Sequence, residues 1–371
     1  MDAMTEQTNH TPRQLIAMSG GVDSSVAALL SKNAGFECIG VTLNLFSSND
    51  RSDGKDRRSC CSLADVEDAR NVAYHLDIPH YVLNFSDDFA DQVIRKFVET
   101  YEKGETPNPC IDCNRYIKFE GLLQRAKQLD FEYLVTGHYA RIEQQGARFL
   151  LKKARDLKKD QSYVLYTMTQ EQLAHTVFPL GNLTKGEVRA IAWEAGFVNA
   201  QKQDSQDICF VPEGDYARFI EEYREKTAVP GNILDEAGNV LGQHQGLIRY
   251  TIGQRRGLGL SFPEPRYVSA KSVADNTLTL GQEGSLYTKT LYADTLNLIA
   301  WEEPEKARQV TVKTRYLQAE QPARALQVAA DRIRVDFDKP QRAITPGQAV
   351  VLYDGDVVLG GGTILGTCSP I

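Results

Sequence analysis

The sequence has no apolar run approaching the roughly 18 residues that a membrane-spanning helix requires, so no membrane role is expected of it. It has no surplus of positive charge either. Its 42 Lys and Arg against 49 Asp and Glu give a net charge of −7, which argues against indiscriminate binding to nucleic acid and leaves room for a local basic face. Cysteine is scarce. The 7 present, an odd number unevenly spaced, make no disulfide framework and point instead to metal binding or thiol chemistry in a reducing compartment. There is no low-complexity tract and no internal repeat. The opening residues MDAMTEQTNHTP have neither an apolar core nor an arginine-rich amphipathic face, so a frayed start and a cytoplasmic location are expected. The G-x-x-x-x-G-K-[ST] pattern is missing too, which excludes a phosphate loop of the kinase or GTPase kind.

What is present is an alternation of short apolar runs and helical stretches. RQLIAM reads as a buried strand, SGGVDS as a turn, and SSVAALLSKNAG as a helix closed by Gly35. FECIGVTLNLF and HYVLNF follow as strands, separated by the helix SLADVEDARNVAYHLDI, for which Ser62 is the expected cap and Asp65 the capping-box partner. Phe89, Val93, Phe97 and Tyr101 recur every fourth residue as a helix stripe, then a cysteine-bearing loop leads into IKFEGLLQRAKQL and a fourth strand, FEYLVTGHY. Strands alternating with helices predict a parallel sheet covered on both faces, with ligands at the carboxyl ends of its strands. After about residue 215 the texture changes to short β-rich runs and turns. The expected class is therefore α/β: a parallel-sheet nucleotide-binding domain over 1–215, a small central β domain over 216–287 and a barrel-like β domain over 288–371.

Gly20 and Gly21 free the backbone of SGGVDS to turn consecutive N–H groups toward an anion at a helix start, and Ser19 and Ser24 add hydroxyls. A glycine turn before a capped helix would look similar. Asp23 is odd in such a cradle unless it reaches Mg²⁺ or takes part in the chemistry. The segment Ala17, Met18, Ser19, Gly20, Gly21, Val22, Asp23, Ser24 resembles the pyrophosphate loop of the ATP pyrophosphatases, which have an adenine nucleotide α-hydrolase-like fold and activate a carbonyl oxygen by adenylation. TPNPCIDCNRYIKF, TGHYAR, KKDQSYVLY, DSQDICFVP and GLIRYTIGQRRGLGL, in that order and over essentially the whole chain, are similar to the tRNA 2-thiouridylase family.

The resemblance implies an ATP- and Mg²⁺-dependent tRNA-uridine 2-sulfurtransferase acting on the wobble uridine of glutamate, glutamine and lysine tRNAs. ATP would adenylate O2 of the uracil, and cysteine-borne sulfur would displace AMP at C2, a task suited to a thiolate. It further implies ATP contacts at residues 17–24, Leu43 and Gly137. Cys113 resembles the nucleophile and Cys209 the persulfide carrier. Asn108, Pro109 and Cys110 resemble the segment against which the flipped base lies; His138, Lys159, Asp160, Gln161, Arg315, Tyr316 and Gln348 resemble tRNA contacts in the anticodon arm. Extrusion suits this chemistry, since C2 of a stacked uridine is out of reach. A cysteine desulfurase or sulfur-relay protein is the implied sulfur donor.

One departure matters. Where well-known members carry an aspartate three residues before the nucleophile, this chain has Cys110. Cys110, Cys113 and Cys209 together supply three soft ligands suited to a [4Fe–4S] cluster with one open iron, and that is the preferred expectation. A persulfide pair of Cys113 and Cys209, with Cys110 as a helper thiol, comes second. Zinc, which wants four ligands, ranks below both. Cys60 and Cys61 read as loop residues, Cys38 as strand core and Cys368 as a chain-end residue. LKKARDLKKDQSY packs five basic residues into a surface stretch fit for phosphate contact, or simply for solvation; Arg255 and Arg256 read as a loop over substrate, or as salt-bridge partners. The rivals are a tRNA-cytidine thiolase, a carbon–nitrogen ligase of the same superfamily, and a non-catalytic RNA-binding protein.

Overall fold

A computed structural model describes residues 11–46, 63–203 and 208–367 of the chain. It opens with β1 (Arg13–Ala17), α1 (Val22–Asn33), β2 (Glu37–Asn44), α2 (Leu63–His75) and β3 (His80–Asn84). Then come α3 (Ser86–Phe89), a π-wound stretch over Ala90–Arg95 and α4 (Lys96–Glu102), followed by α5 (Pro109–Asp112), π-wound Cys113–Leu122, α6 (Leu123–Gln128) and β4 (Tyr133–Val135). β5 (Ala140–Gln145) and β6 (Arg148–Lys153) make a hairpin ahead of α7 (Gln170–Ala174), β7 (Thr176–Val177) and α8 (Lys185–Glu194).

The five strands β3-β2-β1-β4-β7 form a wholly parallel sheet in that order. Its central strands read as unbroken apolar runs because both faces are covered: Leu15, Ile16, Leu134 and Val135 are fully buried. Chain order reverses between β1 and β4. Their carboxyl ends therefore splay and leave the crevice where ligands of open α/β sheets sit. Phe89, Val93, Phe97 and Tyr101 are all buried, so the fourfold recurrence survives the π-wound stretch as one core-facing stripe.

Beyond α9 (Tyr216–Arg224), the strands β8 (Gly231–Asp235), β9 (Val240–His244), β10 (Tyr267–Ser272) and β11 (Thr277–Gly281) form a small sheet ordered β10-β11-β8-β9. β12 (Tyr287–Leu298), β13 (Arg308–Lys313), β14 (Gln321–Ala329), β15 (Arg332–Arg342), β16 (Ala349–Asp354) and β17 (Val357–Gly366) run in the order β12-β15-β14-β13-β16-β17, and pairing of β12 with β17 closes them into a barrel. Closure leaves no exposed edges, and Leu291, Val312, Ala323, Val335 and Leu352 fill the interior.

Several details depart from the sequence reading. α1 starts at Val22, two residues ahead of the expected SSVAALL, with Gly21 as its cap. The cysteine segment is helical and not a loop, because Asn108 caps it through Cys110 N–H and Pro109 has its φ pre-set for a first helical position. α9 and the β5–β6 hairpin were not expected. The hairpin pairs with β17 at Val357↔Lys152 and pins the turn that precedes β17 through Arg141 to Asp356 at 2.7 Å and Lys153 to the Gly355 carbonyl at 2.7 Å. Ser62, Cys60, Cys61 and Cys368 lie outside the described residues.

Candidate active site

The phosphate loop follows β1. Gly20 takes a φ of +72°, and a side chain there would meet the Asp65 carbonyl oxygen at 2.2 Å, so only glycine both turns the chain and lets α2 approach. The hydroxyls are organised by the turn: Ser24 Oγ donates to the Gly21 carbonyl at 3.0 Å and accepts from Ser19 N–H at 3.2 Å. Beneath the loop, Asn199 Nδ2 donates to the Gly20 carbonyl at 3.0 Å and to Ser25 Oγ at 2.9 Å. Lys202 Nζ joins it, 3.3 Å from the same carbonyl, 2.7 Å from Asp65 and 2.6 Å from Asp68. Met18, Val22 and Leu43 are buried. Their side chains serve the core.

The loop after β4 closes on this turn. A Cβ at Gly137 would lie 2.8 Å from Asp23 C and from Ser24 N, so the absent side chain is what lets the two strand ends meet. Tyr139 OH donates to Asp23 Oδ1 at 2.8 Å, and Lys185 Nζ stands 2.8 Å from both Asp23 oxygens. Nothing in the sequence marks Lys185, Lys202, Asn199 or Tyr139, because the partners they hold at this loop all stand more than 100 residues away in the chain.

His138 is buried between the rings of Phe119 and Phe178, with Nδ1 2.7 Å from Thr136 Oγ1. Burial, with Lys118 adding to it, holds its pKa well below the ordinary histidine value, so the ring is neutral. The unfolded chain takes up this proton near pH 6.5 and the folded chain resists it, so stability present above that pH is lost as the pH falls below it. His138→Phe is therefore expected to reduce the drop in melting temperature between pH 7.5 and pH 5.5; an undiminished drop would place the acid sensitivity elsewhere.

Cys110 is exposed at the start of the capped helix; Cys113 and Cys209 are half-buried and pack against the same apolar core. Asn114, next to Cys113, is buried and donates to the Val164 carbonyl at 3.2 Å. Burial raises the pKa of Asp112, against the pull of Lys96 at 2.5 Å. Among the described residues no three His, Cys, Asp or Glu side chains are gathered so as to hold a metal ion. Cys110, Cys113 and Cys209 thus do not present an assembled ligand set, and the cluster expected from the sequence does not fit them as they stand.

The barrel reaches into this end of the sheet. Gln348 Nε2 donates to the carbonyls of Thr106 and Pro107 at 2.8 and 3.1 Å, and Thr106 N–H donates to the Pro346 carbonyl at 2.9 Å, so the chain entering the cysteine helix is held from the barrel. Burial pushes the Tyr316 phenol up to about 12, with Asp160 and Cys110 contributing, which puts this residue within electrostatic reach of the cysteine helix. Neighbouring Arg315 donates to the Ala343 carbonyl, and burial next to Arg342 lowers its pKa. Arg255 and Arg256 are exposed.

The basic run is not a uniform charged face. Lys153 is buried in an ion pair with Glu320, Lys152 lies 2.9 Å from Glu143, and Arg155 3.2 Å from Glu187. Asp160 is buried as well and spends its oxygens on Ala154 N–H and the Ser162 hydroxyl and N–H. Gln161 Oε1 accepts from Tyr139 N–H at 2.9 Å, tying this loop to the TGHYAR segment. Lys158 is exposed and Lys159 half-buried on the same turn.

Comparison with known proteins returns three family matches along the chain: a tRNA methyl transferase HUP domain over residues 13–213, a tRNA methyl transferase PRC-barrel domain over 217–282 and an aminomethyltransferase beta-barrel domain over 288–364. A tRNA-specific 2-thiouridylase MnmA from Symbiobacterium thermophilum is 53% identical over 357 residues, covering 95% of this chain and 92% of that one. Its counterpart from Moorella thermoacetica is 54% identical over 94% of this chain and 98% of its own. That of Geotalea uraniireducens is 50% identical over 96% of both.

Proposed function

The chain belongs to the tRNA-specific 2-thiouridylase family, and from that premise we propose that it is an ATP-dependent tRNA-uridine 2-sulfurtransferase working at the crevice between β1 and β4. The observation that carries the reading is a chain of contacts: Gly137, after β4, lies against Asp23 and Ser24 of the phosphate loop, its neighbour His138 packs on Phe119 of the π-wound stretch that begins at Cys113, and Gln348 from the barrel holds Thr106 and Pro107 ahead of Cys110. ATP would lie on residues 17–24 and Gly137. Mg²⁺ would accompany its phosphates. The three regions 1–215, 216–287 and 288–371 would act as catalytic, connecting and anticodon-gripping units.

The chemistry balances with this chain's own thiols and one external reductant. O2 of the wobble uridine of glutamate, glutamine and lysine tRNAs attacks the α-phosphorus, and pyrophosphate leaves. The outer sulfur of a Cys209 persulfide, charged by a cysteine desulfurase or relay protein, adds to C2 and AMP departs with the former O2. Cys113 thiolate then attacks the inner sulfur, breaking the S–S bond; 2-thiouridine is released and a Cys113–Cys209 disulfide remains for a thiol reductant. This pair is preferred to an iron–sulfur cluster because the three cysteines are not gathered as ligands. A cytoplasmic setting follows from the tRNA substrate. Lys159, Arg315, Asn108 and the backbone around His138, Asp160 and Gln161 are the proposed RNA contacts, since the side chains of the last three are engaged within the protein.

The test is nucleoside analysis of tRNA incubated with the protein, ATP, a desulfurase and cysteine. 2-Thiouridine is expected. 2-Thiocytidine would make the enzyme a cytidine thiolase, and AMP formation without tRNA would favour a carbon–nitrogen ligase.

A further inference from the structure

Arg255 and Arg256 stand side by side in the central β domain, both exposed, and neither has an ion pair or a side-chain hydrogen bond among the described residues. Other surface arginines of this acidic chain are matched to carboxylates, as in Arg95 with Asp91, Arg218 with Glu222 and Arg308 with Asp354. Two exposed arginines alone would be an ordinary solvated stretch; their mounting sets them apart. Gly253 N–H donates to the Val268 carbonyl at 2.8 Å, Val268 N–H donates back to the Gln254 carbonyl at 3.0 Å, and Gln254 Nε2 donates to the Arg256 carbonyl at 3.0 Å. The backbone that carries both guanidiniums is therefore fixed, and it lies on the barrel. A Cβ at Gly253 would come within 2.7 Å of Ala343 Cβ, and the Ala343 carbonyl is the one that accepts from Arg315. From Arg315 the barrel chain makes a turn, closed by Gln318 N–H on the Arg315 carbonyl at 3.2 Å and braced by Gln318 Oε1, which accepts from Thr314 N–H at 2.9 Å and Oγ1 at 2.7 Å. On that turn Leu317 is 91% exposed. Both domains border the entry to the cysteine helix: the barrel through Gln348 on Thr106 and Pro107, the central domain through Val273, which a Cβ at Gly104 would meet at 2.9 Å.

Resting on the reading of this chain as a tRNA thiolase, we propose that the central domain grips RNA directly: Arg255 and Arg256 bind backbone phosphates of the tRNA whose target base lies at the cysteine helix, on a face shared with the Arg315–Gln318 turn. A base held there carries its flanking phosphates across the surrounding surface, and the planar guanidinium is the side chain best matched to them. Leu317 suits the same ligand, since nucleic acid offers apolar base faces beside its charges. Because both loops are already fixed, little backbone order is lost on binding. Phosphate contacts position without reading sequence, so this pair sets how tightly and in what register tRNA sits and does not choose among tRNAs. An acidic protein could also meet two guanidiniums. The choice of RNA rests on place, since this face borders the entry to the cysteine helix, where the substrate itself has to lie.

The experiment is filter binding of an unmodified glutamate tRNA transcript to the full chain over a potassium chloride series, without ATP or sulfur donor. Losing two phosphate contacts releases fewer counterions, so Arg255→Gln/Arg256→Gln is expected to bind about tenfold more weakly at low salt and to flatten the slope of log affinity against log salt by about 1.5. Arg255→Lys/Arg256→Lys keeps both charges and should restore the slope. Arg324→Gln removes an exposed charge from β14, opposite Gln309, and should leave slope and affinity as in wild type. In the wild-type protein, saturating tRNA should shield Arg255 and Arg256 from phenylglyoxal. An unchanged slope in the double glutamine variant, or as large a change per charge in Arg324→Gln, overturns the proposal; should the double variant fail to fold, unshielded arginines do so. Intact tRNA binding with slowed sulfur transfer from a desulfurase overturns it as well, and gives the face to an acidic protein. Because the binding assay involves neither ATP nor sulfur, a failure of the thiolase reading, seen as absent 2-thiouridine, would leave the salt slopes untouched, and a failure of the arginine proposal would leave thiolation standing.

Discussion

Cys113→Ala is expected to lower tRNA thiolation by on the order of 10³-fold or more, with tRNA affinity shifted by less than about threefold. The asymmetry follows from what the thiol touches. Cys113 lies at the start of the π-wound stretch, half-buried against the core, and the helix around it is held by Asn108 at its cap and by Asn114 on the Val164 carbonyl. Removing one sulfur atom from that frame deletes the proposed nucleophile and leaves the proposed RNA-contacting surface in place. Adenylation needs no thiol, so ATP should still be consumed, with AMP appearing by hydrolysis of the trapped intermediate. Cys209→Ala is expected to match it. Cys110→Ala discriminates the two cysteine chemistries: a loss well short of the other two, with no iron or acid-labile sulfide in anaerobically purified wild type, fits the persulfide pair. A loss of equal size, together with stoichiometric iron that the variant lacks, would restore the cluster. Wild-type-like turnover by Cys113→Ala would end the cysteine mechanism altogether. The measurement is mass spectrometry of digested tRNA beside AMP release in the same reaction.

How much of this was legible beforehand depended on the range of the interaction concerned. The parallel sheet was readable because Leu15, Ile16, Leu134 and Val135 are buried on both faces and so form apolar runs in the sequence itself. The stripe Phe89, Val93, Phe97, Tyr101 was equally local. The β5–β6 hairpin was not, because ARIEQQ and RFLLKK are rich in polar residues and are fastened to the barrel by side-chain bonds to Asp356 and Gly355, some 200 residues on. The same limit governs the site. The glycine turn and the cysteine spacing are motifs of neighbouring residues. The role of Gln348 as a clamp on Thr106 and Pro107, and of Lys185 on Asp23, exists only once the chain has folded. Sequence also overstated the basic run, since nothing in LKKARDLKKDQSY announces that Glu320, Glu143 and Glu187 neutralise three of its five charges.

Gly137→Ala carries the other large expected effect, and it isolates packing from backbone strain, since Gly137 is not among the residues of positive φ. An added Cβ would sit 2.8 Å from Asp23 C and Ser24 N, closer than real contacts allow, and the atoms it meets are backbone, which cannot rotate aside. Nor can the phosphate loop retreat downward, because Asn199 and Lys202 hold Gly20 from beneath and α2 presses on it through the Asp65 carbonyl. The strand ends must part, at a cost of about 1–3 kcal/mol in stability typical of overpacking. The amides of the glycine turn, proposed above to face the nucleotide, move with them. ATP affinity is therefore expected to fall by on the order of 10²-fold, as fixed donors slip from their geometry, with a folded protein remaining. Gly284→Ala is the control, for there the new Cβ meets nothing within 4 Å and both ATP affinity and melting temperature should hold. Calorimetric ATP titration with a parallel thermal melt decides it. An unaltered affinity in Gly137→Ala would mean that the loop after β4 does not set the phosphate cradle, and the nucleotide would have to be sought elsewhere along the crevice.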